Sequence, residues 1–301
     1  MQKIGLLTPY LTQDGSYTFF SQEYAETFHS SSGAKQEAEK KFIDSCRIAE
    51  KAQQQPLIKL LDICYGLGYN SAAALAKIWE INPNCQVELI ALEIDERVPQ
   101  TAIALNLLES WLPSVSETLT TFVQNKKIIT PKLKASLIIG DARKTIQQIY
   151  RDQFQADAIF LDPFSPTKCP QLWTVEFLDL VSKYLSPTGY LVTYSCAASV
   201  RTALQMAGLL IGATESVGRR SPGTIATWSN NSLPPLSQPE IEHLQTKAAI
   251  PYRDPFLSDS DVIIRQRREQ EQQASPLEAT SHWKKRWEKI SKKTDLLPSN
   301  P

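Results

Sequence analysis

The chain has 301 residues, enough for one large domain or two small ones. Hydrophobic residues make up 42% and charged residues 21%, an ordinary globular balance that excludes a wholly disordered chain. Thirty-two basic residues meet thirty-two acidic ones, so polyanion binding through bulk charge is excluded while a local basic patch is not.

No apolar run approaches the roughly 18 residues of a membrane span, so no membrane contact is expected. The start, MQKIGLLTPYLTQDG, lacks the apolar core and small-residue cleavage site of a secretory signal. Five widely spaced cysteines, three histidines, and neither CxxC nor CxxxH argue against a metal site or a disulfide framework. A soluble, cytoplasmic protein of a reducing compartment is the expectation.

Three zones follow in chain order. Residues 1–55 open with a hairpin, PYLTQDGSYTFF, turning at Asp14-Gly15. A polar loop, HSSSGA, leads into the helical stretch AKQEAEKKFIDSCRIAEKA. In residues 56–230 apolar β-type runs (57–64, 87–94, 136–140, 157–162, 190–195, 224–229) alternate with helical patterns. That alternation predicts a mostly parallel sheet with helices on both faces. The run GATESVGRRSPGTIATWS has two β-type segments around a basic turn, so the last strand is expected to be antiparallel. Residues 231–301 form a polar and basic extension, from the linker NNSLPPLSQPE through RQRREQEQQAS to HWKKRWEKISKK.

The first strand of the sheet ends in LLDICYGLGYN. Asp62 is followed by Gly66 and Gly68, and Asn70 opens a helix. Such glycines let the backbone approach a ligand and aim a helix N-terminus at it. Cys64 takes the first glycine position of a D-x-G-x-G-x-G pattern, which weakens the motif. Glu93 ends the second strand, where a carboxylate commonly takes ribose hydroxyls. Asp141 and Ala142 follow the third strand, the carboxylate suited to accept from an adenine amine. Asp162 ends the fourth. Four carboxylates on one rim of carboxyl ends mark a nucleotide-type site. The antiparallel last strand favours S-adenosylmethionine over NAD. The fold expected is therefore a Rossmann-like class I S-adenosylmethionine-dependent methyltransferase: a seven-stranded sheet with an antiparallel last strand and an N-terminal hairpin and helix covering the cofactor pocket.

In DAIFLDPFSPTKCPQLW, Pro163 and Pro166 stiffen the loop after Asp162 and hold Phe164 between them. Asp-Pro-Phe resembles the Asp/Asn-Pro-Pro-aromatic loop of amino-group methyltransferases, in which the acid accepts from the target amine and the aromatic packs on the base. Asp162 is the candidate catalytic residue, with Phe164 beside it.

These blocks, with HSSSGA and its following glutamate, GDARKTI, GYLVTYSCAASVRTALQMAGL and VGRRSPGTIATW, resemble the MnmC-type tRNA methyltransferases over residues 10–228. The likeness is to the stand-alone form without the FAD oxidase domain. It implies methylation of the 5-aminomethyl group of the tRNA wobble uridine, giving 5-methylaminomethyl-(2-thio)uridine, with separate upstream enzymes supplying the amine. By resemblance Gly66, Gly68, Glu93 and Asp141 contact the cofactor. Asp162 lies by the methyl and the amine, and the HSSSGA loop closes the pocket. Pro163 and Cys169 depart from the glycine and asparagine usual in the fused enzymes.

For the tRNA anticodon loop the basic candidates are Lys168, Arg219 and Arg220, then Arg265, Arg267 and Arg268, then a tail with Lys284, Lys285, Arg286, Lys289, Lys292 and Lys293, where Trp283 and Trp287 offer stacking. Trp173 reads as core. Two other readings remain open. One is a spermidine-synthase-like enzyme acting on a small amine; the other is a non-catalytic RNA-binding protein on a methyltransferase fold.

Overall fold

The computed structural model describes residues 7–149, 154–218, 221–229 and 233–294. It opens with a small antiparallel sheet, β1 (Pro9–Leu11), β2 (Tyr17–Ser21) and β3 (Glu26–Thr27), in that order. Gly15 supplies the positive φ (+82°) that the β1–β2 turn requires. The helical stretch that follows is not one helix. α1 (Ala34–Glu37) widens into a π-type segment, Ala38–Asp44, then breaks at Arg47 (φ +53°) before α2 (Ile48–Gln54). Lys41, Phe42 and Ile43 are consecutive buried residues, more than one stripe of a regular α-helix can bury, and the wider turn accommodates them.

The main sheet comprises β4 (Leu57–Ile63), β5 (Gln86–Glu93), β6 (Lys127–Ile129), β7 (Leu133–Ile139), β8 (Ala156–Leu161), β9 (Leu185–Thr193), β10 (Leu210–Ala213) and β11 (Thr224–Thr227), in the order β10-β11-β9-β8-β4-β5-β7-β6. β5, β7, β8 and β9 extend in parallel from β4, and β11 enters antiparallel between β9 and β10. Eight strands stand where seven are expected. The extra one, β6, is a three-residue antiparallel edge too short to show alternation in the sequence.

Helices α3 (Tyr69–Ile81), α4 (Arg97–Ala104), α5 (Pro113–Asn125), α6 (Ala142–Thr145), α7 (Val175–Ser182) and α8 (Ala198–Met206) connect the strands. The sequence run ARKTIQQIYRD yields only the four-residue α6 and a 3₁₀ turn before the described residues lapse. Strand side chains alternate between two cores. In β4, Ile58 and Leu60 join the N-terminal helices and α3, while Leu61 and Ile63 join α7 and α8. β4 leads to β5 on one side while its other neighbour, β8, leads to β9 on the far side, so the connections leave these two strands in opposite directions and open a crevice between their carboxyl ends. Residues 233–294 fold onto this body as α9 (Gln238–His243), α10 (Asp261–Ala274) and α11 (Thr280–Thr294). No described helix is long and apolar enough to cross a membrane.

Candidate active site

The carboxyl ends of β4, β5, β7 and β8 surround one cavity of about 470 Å³. The turn after β4 carries three positive φ values, at Cys64 (+69°), Gly66 (+57°) and Gly68 (+90°). A Cβ at Gly68 would lie 2.6 Å from the Tyr65 hydroxyl, so the close turn demands glycine there. Cys64 holds the left-handed conformation without being glycine. Its N–H and that of Tyr65 both donate to the Leu92 carbonyl at 3.0 Å, which fixes the backbone.

Glu93 is buried at the end of β5 and accepts three backbone N–H groups, from Gly66 (2.8 Å), Ile94 (2.8 Å) and Asp95 (2.9 Å). Burial pushes its carboxyl up from the usual range, and those bonds pull it back. Asp141 caps α6, accepting the Arg143 N–H at 3.0 Å, and its carboxylate pairs with the Arg143 guanidinium at 2.7 Å. Asp162 follows β8, its N–H bonded to the Ile63 carbonyl at 3.1 Å. Asn70, in the first turn of α3, donates Nδ2–H to Asp162 Oδ2 at 3.0 Å.

Of the expected site residues, Gly66, Glu93, Asp141, Ala142, Asp162 and Phe164 border the cavity. Asp62, Gly68 and Asn70 do not. Gly68 shapes the turn and Asn70 holds Asp162. Asp62 lies fully buried beneath the rim, bonded by Ser71 Oγ at 2.6 Å, with no partner for Oδ1 among the described residues. Burial pushes its carboxyl up to about 8, and the nearby Asp162 and Glu93 add to the effect. Lys168 is exposed and away from the cavity lining. Arg219 and Arg220 lie outside the described residues.

The site also contains residues that sequence reasoning passed over. Tyr24, Glu26 and Phe28, around β3, reach the cavity from the small sheet. Tyr24 stacks on Phe164 (centroids 4.3 Å apart, 17°), and Phe28 meets the same ring edge-on at 5.0 Å. One face of Phe164 is therefore already covered, rather than free to pack on a base. Glu26 accepts the Ser165 N–H at 3.1 Å and its hydroxyl as well. Trp173, wholly buried as expected of a core residue, donates Nε1–H to the Phe164 carbonyl at 2.8 Å and pins the loop from below. Glu37 also borders the cavity and is neutralised by the buried Lys41 at 2.7 Å. The excess of aromatics in TFFSQEYAETFH was the available signal for this wall.

The C-terminal arginines are engaged within the chain. Arg265 donates to the Thr167 carbonyl and to Asp261. Arg267 binds the Arg253 carbonyl and Asp259, and Arg268 stacks on Tyr252 while donating to Ile250 and Ala248 carbonyls. In the tail, Trp283 stacks on His243 at 4.2 Å, Trp287 donates to Glu242, and Arg286 pairs with Glu242 and Glu278. Both tryptophans thus pack α11 onto α9. Lys284, Lys285 and Lys289 remain exposed.

Comparison with known proteins places this geometry. A family model described as S-adenosyl-L-methionine-dependent methyltransferase matches residues 80–229. The solved structure of MnmC2 from Aquifex aeolicus superposes with a TM-score of 0.79 at 33% identity, covering 91% of this chain and 87% of that one. The chain belongs to the MnmC-type family of S-adenosyl-L-methionine-dependent methyltransferases. An uncharacterized protein of Methanocaldococcus jannaschii, MJ0670, is 32% identical over 86% of this chain and 70% of its own length. The bifunctional tRNA 5-methylaminomethyl-2-thiouridine biosynthesis protein MnmC of Acidovorax is 25% identical over 76% of the chain. The chain spans only 36% of that MnmC protein. The lining fits the methyl donor of the family. Gly66 and Gly140 bring bare backbone to the cavity, Leu92, Ile94, Ala142 and Leu172 offer apolar faces, and the carboxylates suit a sulfonium cation.

Proposed function

We propose that this MnmC-type enzyme methylates the 5-aminomethyl group of the tRNA wobble uridine, giving 5-methylaminomethyl-(2-thio)uridine in the cytoplasm. The observation that carries the reading is the placement of Asp162. It stands at the β4–β8 crevice, held by Asn70, on a loop stiffened by Pro163 and Pro166, and borders the same cavity as Glu93 and Asp141.

In this reading Gly66 and Glu93 receive the ribose end of the cofactor, and Asp141 with the Ala142 backbone receives the adenine. S-adenosyl-L-methionine, when bound, supplies an activated sulfonium methyl. The chain's own work is to bring a neutral amine to it. An alkylamine near lysine's pKa of about 10.4 arrives protonated. Asp162 attracts the ammonium and then holds the neutral nitrogen by accepting an N–H after one proton leaves for solvent. Orientation by the proline-stiffened loop supplies part of the rate, up to roughly 7–11 kcal/mol for ideal alignment. Phe164, fixed by Tyr24, Phe28 and Trp173, forms an apolar ledge beside the amine. Lys168, with the exposed lysines of α11, supplies phosphate contacts.

Against a polyamine substrate, the lining carboxylate of Glu37 is already neutralised by Lys41. The test is incubation with S-adenosyl-L-methionine and tRNA from cells lacking their own wobble-amine methyltransferase, followed by nucleoside mass spectrometry. One added methyl on the aminomethyl-uridine is expected. Methylation of spermidine or putrescine, with the tRNA unchanged, would contradict the proposal.

A further inference from the structure

The adenine side of the cavity is completed from the far end of the chain. Arg143 divides its guanidinium between two carboxylates. Nε and Nη2 face Asp141 (3.1 and 2.7 Å), while Nη1 donates to Asp254 Oδ2 at 2.8 Å and to the Asp259 carbonyl at 2.9 Å. Arg143 borders the cavity, whereas Asp254 does not and its side chain is 0% exposed. The other oxygen of Asp254 accepts the Ser258 and Asp259 N–H groups, both at 3.1 Å. The chain segment around it is tied to the start of α7. Asp254 N–H and the Arg253 guanidinium both bond Glu176, and the Val175 N–H donates to the Tyr252 carbonyl at 3.0 Å. Of these residues only Asp141 and Arg143 line the cavity.

We propose that Asp254 is a positioning residue of the cofactor site, acting through Arg143 on Asp141. One guanidinium shared by two carboxylates leaves a net negative charge on the triad. Asp141 thereby keeps the acceptor strength of a carboxylate toward an exocyclic amine. Without the Asp254 carboxylate, Asp141 is the only carboxylate left on the guanidinium, the pair is neutral, and the charged anchor that helps fix the fork against Asp141 is lost. This inference rests on the reading of Asp141 as the adenine-amine acceptor.

The test measures the affinities of S-adenosylhomocysteine and S-inosylhomocysteine by calorimetry, because the second replaces the 6-amino donor with a carbonyl. The parent is expected to prefer the adenosyl ligand. Asp254→Asn is expected to shrink that preference about five- to tenfold, with Arg143→Lys doing the same should the first variant fold poorly. In the Asp141→Asn background, Asp254→Asn is expected to change the preference no further. Equal losses for both ligands in Asp254→Asn and Arg143→Lys mean a purely structural role and overturn the inference. A parent-like preference in both, with a collapsed one in Asp141→Asn, overturns it while leaving the Asp141 reading intact. A parent-like preference in Asp141→Asn defeats that reading and this inference together.

Discussion

Two walls enclose the cavity, and they are built from opposite materials. The N-terminal wall is made mainly of rings, Tyr24 and Phe28 against Phe164, with Glu26 bonded to Ser165 and Glu37 paired to Lys41. The C-terminal wall is made of charge: Arg143 with Asp141 and Asp254, Arg253 with Glu176, Arg265 with the Thr167 carbonyl. Both press on the loop after β8, one through Phe164 and Ser165, the other through Thr167 and the segment after Trp173. Ring packing follows apolar area and is indifferent to salt, whereas the charged wall is directional and sets planes and charges. In this account each wall positions, and the chemistry belongs to Asp162 between them.

The sharpest way to break that division is Asp162→Ala. Turnover is expected to fall about 10²–10⁴-fold, the span of a positioned acid-base group, with S-adenosylhomocysteine affinity held within about threefold. A substitution in either wall that equals this loss while cofactor still binds would move chemistry into the wall. Next in size is Asp62, a buried carboxyl with one oxygen unpartnered among the described residues, in contrast to Asp254 of the charged wall, both of whose oxygens accept hydrogen bonds. Its folded-state carboxyl is raised to about 8 by burial. Below about pH 4 both folded and unfolded chains carry the proton. Between there and 8 only the folded chain keeps it, so stability falls as pH rises and levels off above 8. Asp62→Asn is expected to gain on the parent by about 2–4 kcal/mol between pH 5 and 8, read from denaturant midpoints. A parallel pair of curves would place the proton elsewhere.

Smaller effects separate the walls themselves. Tyr24→Ala removes a stacked pair worth about 0.5–1.5 kcal/mol beyond its buried area, and Tyr24→Phe restores it. Cofactor affinity should weaken by a few-fold in the first variant only, equally at low and high potassium chloride. Arg265→Gln loses partly exposed contacts to the Thr167 carbonyl and Asp261 and should cost less than about 1 kcal/mol, shrinking as salt rises. If the aromatic variant proved salt-sensitive and the arginine variant did not, the contrast between the walls would fail.

Much of this was readable in the residues before any fold was drawn. The sheet was legible because its central strands are continuous apolar runs ending in Asp62, Glu93, Gly140-Asp141 and Asp162, and chemistry at strand ends is a sequence-local signal. β6 was not, since three residues carry no period, and α5 was overlooked between the longer apolar runs. The aromatic wall needed a long-range contact: Tyr24 and Phe164 are 140 positions apart in sequence, and nothing local to either announces the stack. Asp254 was equally silent. The partners of the basic clusters were hidden for a related reason. Arg265, Arg267 and Arg268 read as surface charge, yet each donates to a backbone carbonyl of another segment. Charge density is visible in a sequence; what satisfies it is not.

The most direct measurement is single-turnover methylation of wobble-aminomethylated tRNA by the parent and by Asp162→Ala, with S-adenosylhomocysteine binding titrated on the same preparations. The account predicts one methyl transferred to the wobble amine by the parent, and a variant that binds cofactor normally and transfers almost none. A variant as fast as the parent on the same tRNA would contradict it, and so would a parent that binds cofactor yet leaves the wobble amine unmethylated.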